Sequence, residues 1–105
     1  MIHIENLRTY CGEGVYIGRP SPLGNPFKIG KHGTRNDVIA AYRVWLWKQI
    51  HARNDVYREL LRLVELSRVG DLTLICWCKE PNQEIACHGD VVRAAILNSS
   101  AWLKF

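Results

Sequence analysis

The chain has 105 residues, nearly half of them apolar, with four tryptophans and a formal charge of +4. That length is typical of one domain, and so apolar a composition excludes a disordered chain. No apolar run approaches the ~20 residues of a membrane span, and the Met1–Asn6 start lacks the charge and apolar core of a signal peptide.

A soluble, cytoplasmic protein is therefore expected, with residues 1–105 as a single α/β domain and no membrane partner. The basic balance suits a small anionic ligand or a nucleotide, with nucleic acid as a second candidate partner. In such a compartment Cys11, Cys76, Cys78 and Cys87 are expected as free thiols, metal ligands or redox groups rather than disulfides.

Met1 to Leu7 sets Ile2 and Ile4 against His3 and Glu5, the period-two pattern of a strand with one wet face. Cys11-Gly12-Glu13-Gly14 reads as a turn, and Val15-Tyr16-Ile17 as a short strand of β-branched and aromatic residues. The segment Gly18-Arg19-Pro20-Ser21-Pro22-Leu23-Gly24-Asn25-Pro26-Phe27 follows. Its prolines fix their own φ and push Arg19, Ser21 and Asn25 toward extended geometry. Gly18 and Gly24 are expected to supply φ values closed to other residues and to let a ligand near the backbone. A loop stiffened in advance loses less entropy on binding, although a rigid strand-to-helix turn reads the same way.

Thr34 to about Ala52 is the clearest helix, with Thr34 as N-cap and Asp37 as the partner of a capping box. Trp45 and Trp47 cannot both face the core. A second helix spans about Asn54 to Arg68, capped by Asn54 or Asp55 and ended by Gly70. Asp71 to Cys78 is the best strand, apolar on both faces after Thr73, as in a sheet covered by helices on each side. After a polar loop over 79–86, Cys87 or His88 opens a third helix that runs to about Asn98. The tail is expected to pack through Trp102, Leu103 and Phe105. Strands separated by helices predict a small Rossmann-like, partly parallel sheet with about three helices packed on it.

Ligands of such sheets collect beyond the carboxyl ends of the strands. Two predicted strand ends run into polar loops there, Ile17 into the proline-rich loop and Cys76 into the 77–88 segment. If those strands are parallel neighbours, the two loops share one rim. Arg19, Lys28 and Arg35 form a basic set, with Arg35 in the first turn of its helix, where backbone N–H groups favour anions. The loop has neither the Walker A nor the G-x-G-x-x-G pattern, so a phosphate site here must be of another kind.

Cys76, Cys78, Cys87 and His88 are all of metal-ligating types. Their C-x-C and C-H spacings do not match structural zinc sites, so no metal residue is assigned and Cys76 reads as core filler. Cys87, beside a histidine at a helix start, is either a nucleophile with an easily ionised thiol or a buried structural thiol. His88 is an acid, a base or a phosphate donor, or else a cap. Asp90 is a partner for the helix dipole or an acceptor for a sugar hydroxyl. Arg43, Lys48, Arg53, Arg58, Arg62 and Arg68 read as the wet faces of two amphipathic helices, or as a nucleic-acid face.

The motifs V-Y-I-G-R-P-S-P-L-G-N-P-F, G-T-R-N-D-V-I-A-A-Y, D-L-T-L-I-C-W-C-K-E-P and C-H-G-D-V-V, in that order, resemble the family catalogued as domain of unknown function 4326, found in phage and bacterial proteins. The resemblance runs from about Val15 to Leu97. It places recurring positions at Gly18, Arg19, Gly24, Asn25, Pro26, Arg35, Tyr42, Cys76, Trp77, Cys78, Cys87, His88, Gly89 and Asp90. It also makes the 79–86 loop somewhat longer than the family's usual one. It implies no activity and no cofactor.

The leading expectation is a domain that binds a nucleotide, nucleoside or other phosphorylated ligand, or an enzyme acting on its glycosidic or phosphate bond. Gly18, Arg19, Gly24, Asn25, Arg35 and Trp77 would hold the ligand, with Trp77 stacked on a base. Cys87, His88 and Asp90 would be the reactive groups of a hydrolase or transferase. The alternatives are a non-enzymatic module that binds nucleic acid or a host protein, and a thiol-ligated metal domain.

Overall fold

Six elements follow the predicted order, β1 (Ile2–Asn6), β2 (Val15–Tyr16), α1 (Arg35–Ala52), α2 (Asp55–Val69), β3 (Leu72–Cys76) and α3 (His88–Leu97), and a short helix that was not expected, α4 (Ser99–Trp102), comes after them. The computed structural model describes residues 1–77 and 87–103, so Cys78, the loop expected over 79–86 and Phe105 lie outside the described residues.

The strands form one sheet in the order β1-β3-β2, and both pairings are parallel. β3 takes the centre because its sequence can be buried on both faces: Leu72, Leu74, Ile75 and Cys76 are all buried. β1 was expected to have one wet face. Instead Ile2, His3, Ile4 and Glu5 are all half-buried at the sheet's edge. The register Asn6↔Cys76 and Tyr16↔Ile75 brings the carboxyl ends of the three strands level with one another.

The helix starts are fixed by the side chains expected to fix them. Thr34 Oγ1 accepts from the Asp37 N–H at 3.3 Å, and the Thr34 N–H donates to Asp37 Oδ2 at 2.9 Å, a closed capping box. Asn54 Oδ1 accepts from the N–H groups of Val56 and Tyr57 at the start of α2. Ile39, Tyr42, Leu46 and Ile50 of α1 are buried in one cluster with Leu60, Leu63 and Val64 of α2 and Val91, Val92 and Ile96 of α3. Of the two competing tryptophans, Trp45 is half-buried beside Tyr42, while Trp47 is exposed and meets His51 edge-on. The fourth helix, α4, is a single turn that seats Trp102 in the core, with its indole N–H donating to the Ala95 carbonyl at 2.9 Å. Among the described residues no helix is long and apolar enough to cross a membrane.

Candidate functional site

Because all three strands run the same way, every loop that leaves a carboxyl end emerges on one rim. Ile17 continues the β2–β3 pairing by donating its N–H to the Ile75 carbonyl at 2.8 Å, and the chain then turns away at Gly18. Two consecutive turns follow, closed by Ser21 N–H to Gly18 O and Gly24 N–H to Ser21 O. Side chains from neighbouring elements fasten the loop. The Tyr42 hydroxyl donates to the Leu23 carbonyl at 2.7 Å, and the Tyr16 hydroxyl donates to the Arg19 carbonyl at 2.7 Å. Asn25 accepts the Phe27 N–H at 2.9 Å and donates to the Val38 carbonyl at 3.4 Å. The interior holds Tyr42 in its neutral form, since burial pushes its pKa far up.

Gly18 and Gly24 do not take the φ values expected of them; the glycines with positive φ are Gly12, Gly30 and Gly33. Their smallness serves packing instead. A Cβ at Gly24 would lie 2.9 Å from the backbone N and Cα of Arg19, and one at Gly18 would collide with the Tyr16 hydroxyl. The two ends of the loop meet back to back, and that contact is what requires glycine.

Between this loop, the start of α1, the end of β3 and the start of α3 lies a cavity of about 110 Å³. Gly18, Arg19, Asn25, Arg35, Trp77, Cys87 and His88 line it, together with the apolar Phe27, Ile29, Val38 and Ile39. Two arginines, Arg19 and Arg35, line it, and among the described residues no carboxylate does. The predicted meeting of Arg19 and His88 therefore occurs.

Each reactive candidate also has structural work to do. His88 is buried, and its Nε2–H donates to the Ile17 carbonyl at 2.9 Å; a carbonyl only accepts, so the tautomer follows. Its ring meets Tyr42 edge-on at 5.2 Å. Burial pushes the His88 pKa below its ordinary value; the Ile17 carbonyl opposes the fall, Arg19 adds to it and Asp90 opposes it. The imidazole is thus neutral near pH 7.

Cys87 is the N-cap of α3. Its sulfur accepts the Gly89 N–H at 3.3 Å and lies 3.2 Å from the Cys76 sulfur and 3.9 Å from His88 Nδ1. Cys87 is disulfide-bonded, contrary to the free thiols expected, because the fold gathers sulfur atoms where β3 ends and α3 begins. In that state it offers no thiolate. Cys11 is exposed, and Cys76 is buried as expected of core filler. No metal-ligating cluster occurs among the described residues.

Asp90 is not in the cavity. One carboxylate oxygen accepts the Cys87 N–H at 3.0 Å and the other faces Arg93 at 3.5 Å, completing the capping box of α3. Its exposed side lines a second hollow, between α1, α3 and α4. Gly24 shapes the loop behind the cavity without lining it.

A family model, the Domain of unknown function (DUF4326), matches residues 3–98. The chain belongs to the DUF4326 family. Neither a curated protein nor a solved structure matches the chain. In this DUF4326 chain, half of the recurring positions given by the resemblance gather at one place: Gly18, Arg19, Asn25, Arg35, Trp77, Cys87 and His88 line one cavity, and Gly24 and Tyr42 hold the loop beside it.

Sequence reasoning missed the apolar wall made by Phe27, Ile29, Val38 and Ile39. It also missed Asn6 and Arg8, which follow the third strand end. The strand-end rule that picked out Ile17 and Cys76 applies equally to Asn6 and would have found both.

Proposed function

We propose that the cavity binds the phosphoryl group of a nucleotide or a similar small phosphorylated ligand. The observation that carries this reading is the convergence of Arg19 and Arg35 on one small cavity, beside the neutral His88. Guanidinium groups bind phosphate oxygens through paired, charge-assisted hydrogen bonds. At about 110 Å³ the cavity is well below the several hundred Å³ that enclose a whole drug-sized ligand, so it suits a phosphate and its ester carbon. A sugar or base would then lie over the mouth, where the half-exposed ring of Trp77 offers a stacking face.

Binding is favoured over bond cleavage because Cys87 is in a disulfide, Asp90 caps a helix outside the cavity and the Nε2 proton of His88 is held by Ile17. A nucleic-acid face on α2 is disfavoured. Arg58, Arg62 and Arg68 pair with Asp55, Glu59 and Glu65, so their charge is largely spent within the helix.

Thermal melts with inorganic phosphate, pyrophosphate and the common mononucleotides test the proposal. A ligand at ten times its Kd stabilises by about 1.4 kcal/mol, which raises the Tm of a domain this size by roughly 6–11 °C. Arg19→Ala and Arg35→Ala should each remove most of that rise. If no phosphorylated compound moves the Tm of the wild-type protein, the proposal fails.

A further inference from the structure

We infer that Arg8, held over Trp77 at the edge of the cavity, is a second anion-binding arm, and that the ligand therefore carries two adjacent phosphoryl groups. This inference rests on the reading of the cavity as a phosphate site.

Arg8 is brought there by the backbone. β1 lies parallel to β3 with Asn6 opposite Cys76, so the residues after each strand leave the sheet side by side. Two hydrogen bonds then bind the two exits together, and a third sets the turn into Arg8. The Leu7 N–H donates to the Cys76 carbonyl at 2.9 Å, Asn6 Nδ2 donates to the Trp77 carbonyl at 3.3 Å, and Asn6 Oδ1 accepts the Arg8 N–H at 2.8 Å. Asn6, at the centre of this clasp, is buried. Its effect is to place the guanidinium carbon of Arg8 5.4 Å from the centre of the Trp77 ring.

Attraction to an indole face occupies none of a guanidinium's N–H groups, which remain able to donate to a ligand. Arg8 is exposed, and among the described residues no carboxylate pairs with it. Elsewhere on the surface the protein pairs its arginines within helices, as Arg58, Arg62, Arg68 and Arg93 show. Arg8 instead lies over an aromatic ring, and that Trp77 is itself among the residues that line the cavity with Arg19 and Arg35. A single phosphate would fill the cavity and leave Arg8 at its mouth. A diphosphate would place its second group there, where a preorganised donor fork meets it at little entropic cost.

Calorimetric titration of the full chain with inorganic phosphate and with pyrophosphate, at low ionic strength, decides the matter. Wild type should bind pyrophosphate at least tenfold more tightly than phosphate, since a charge-assisted hydrogen bond is worth roughly a factor of ten or more. Arg8→Gln should erase that preference while leaving phosphate binding within about twofold, and its unliganded Tm should match wild type because the side chain is exposed. Arg8→Lys keeps the charge but loses the planar stack, so it should recover only part of the preference.

Arg68→Gln, remote in α2, controls for net charge. Equal losses in Arg8→Gln and Arg68→Gln would overturn the inference, as would wild type that binds the two anions alike. An Arg8→Gln variant that keeps the pyrophosphate preference would also overturn it, while leaving the phosphate cavity in place. Wild type that binds neither anion would end both readings together.

Discussion

Protonating His88 would put a positive charge into a buried wall of the cavity, next to the Arg19 field and with its Nε2–H already committed to Ile17. The folded protein therefore holds that proton less tightly than the unfolded chain, whose histidines titrate near ~6.5. Where the unfolded state binds more protons, stability rises with pH. The His88 contribution is thus fully present above about pH 6.5 and is lost as pH falls through the lowered folded-state value. Thermal melts from pH 8 to pH 5 should show Tm falling in the acid half of that range, before carboxylates titrate. His88→Gln should melt lower throughout but with a flatter profile; an equal slope would assign the acid loss to other groups. At this scale the sequence was partly legible. A histidine at a helix start beside the end of a strand reads as a site residue because parallel strands share a rim. Asp90 misled, since a carboxylate three residues after an N-cap looks alike whether it serves a ligand or closes a capping box. Cys87 carries the same ambiguity.

Among the elements, the Gly18–Phe27 loop depends most on a single atom's space. The missing Cβ of Gly24 lets its backbone rest on that of Arg19, and backbone cannot give way as a flexible side chain can. Gly24→Ala should cost about 1–3 kcal/mol, the usual range for overpacking, and should weaken phosphate binding by displacing Arg19. Gly70→Ala is the control: its φ of 172 is extended and nothing lies within 4 Å of the added Cβ. Urea denaturation of both variants measures the difference, and equal midpoints would refute the packing role. The loop's stiffness was visible in its prolines. That its glycines pack rather than bend was not, because the colliding atoms belong to Arg19 and Tyr16 and only the folded path brings them near. The helices were legible almost to the residue, since Thr34, Asp37 and Asn54 cap their own helices and need no tertiary contact to do so.

Across the described residues, three short strands and four helices share one core, to which α4 adds Trp102. That indole meets Tyr57 of α2 edge-on at 6.0 Å and donates to Ala95 of α3, so it joins two helices that otherwise touch through aliphatic side chains. Trp102→Ala should cost about 3–5 kcal/mol, a large part of the ~5–15 kcal/mol that stabilises a domain of this kind. The urea midpoint measures it, and a loss under 1 kcal/mol would show that α4 is dispensable. The tail was expected to pack from its composition alone, and the mixed α/β class followed from the alternation of strands and helices. The fully parallel β1-β3-β2 order did not follow from any local pattern, because a two-residue strand such as β2 carries almost no periodic signal.

Tyr42 stands between the two banks of the cavity, with its hydroxyl on the Leu23 carbonyl of one and its ring edge-on to His88 of the other. Both banks therefore lean on one side chain of α1, so a shift of that helix is passed to the proline-rich loop and to the start of α3 together.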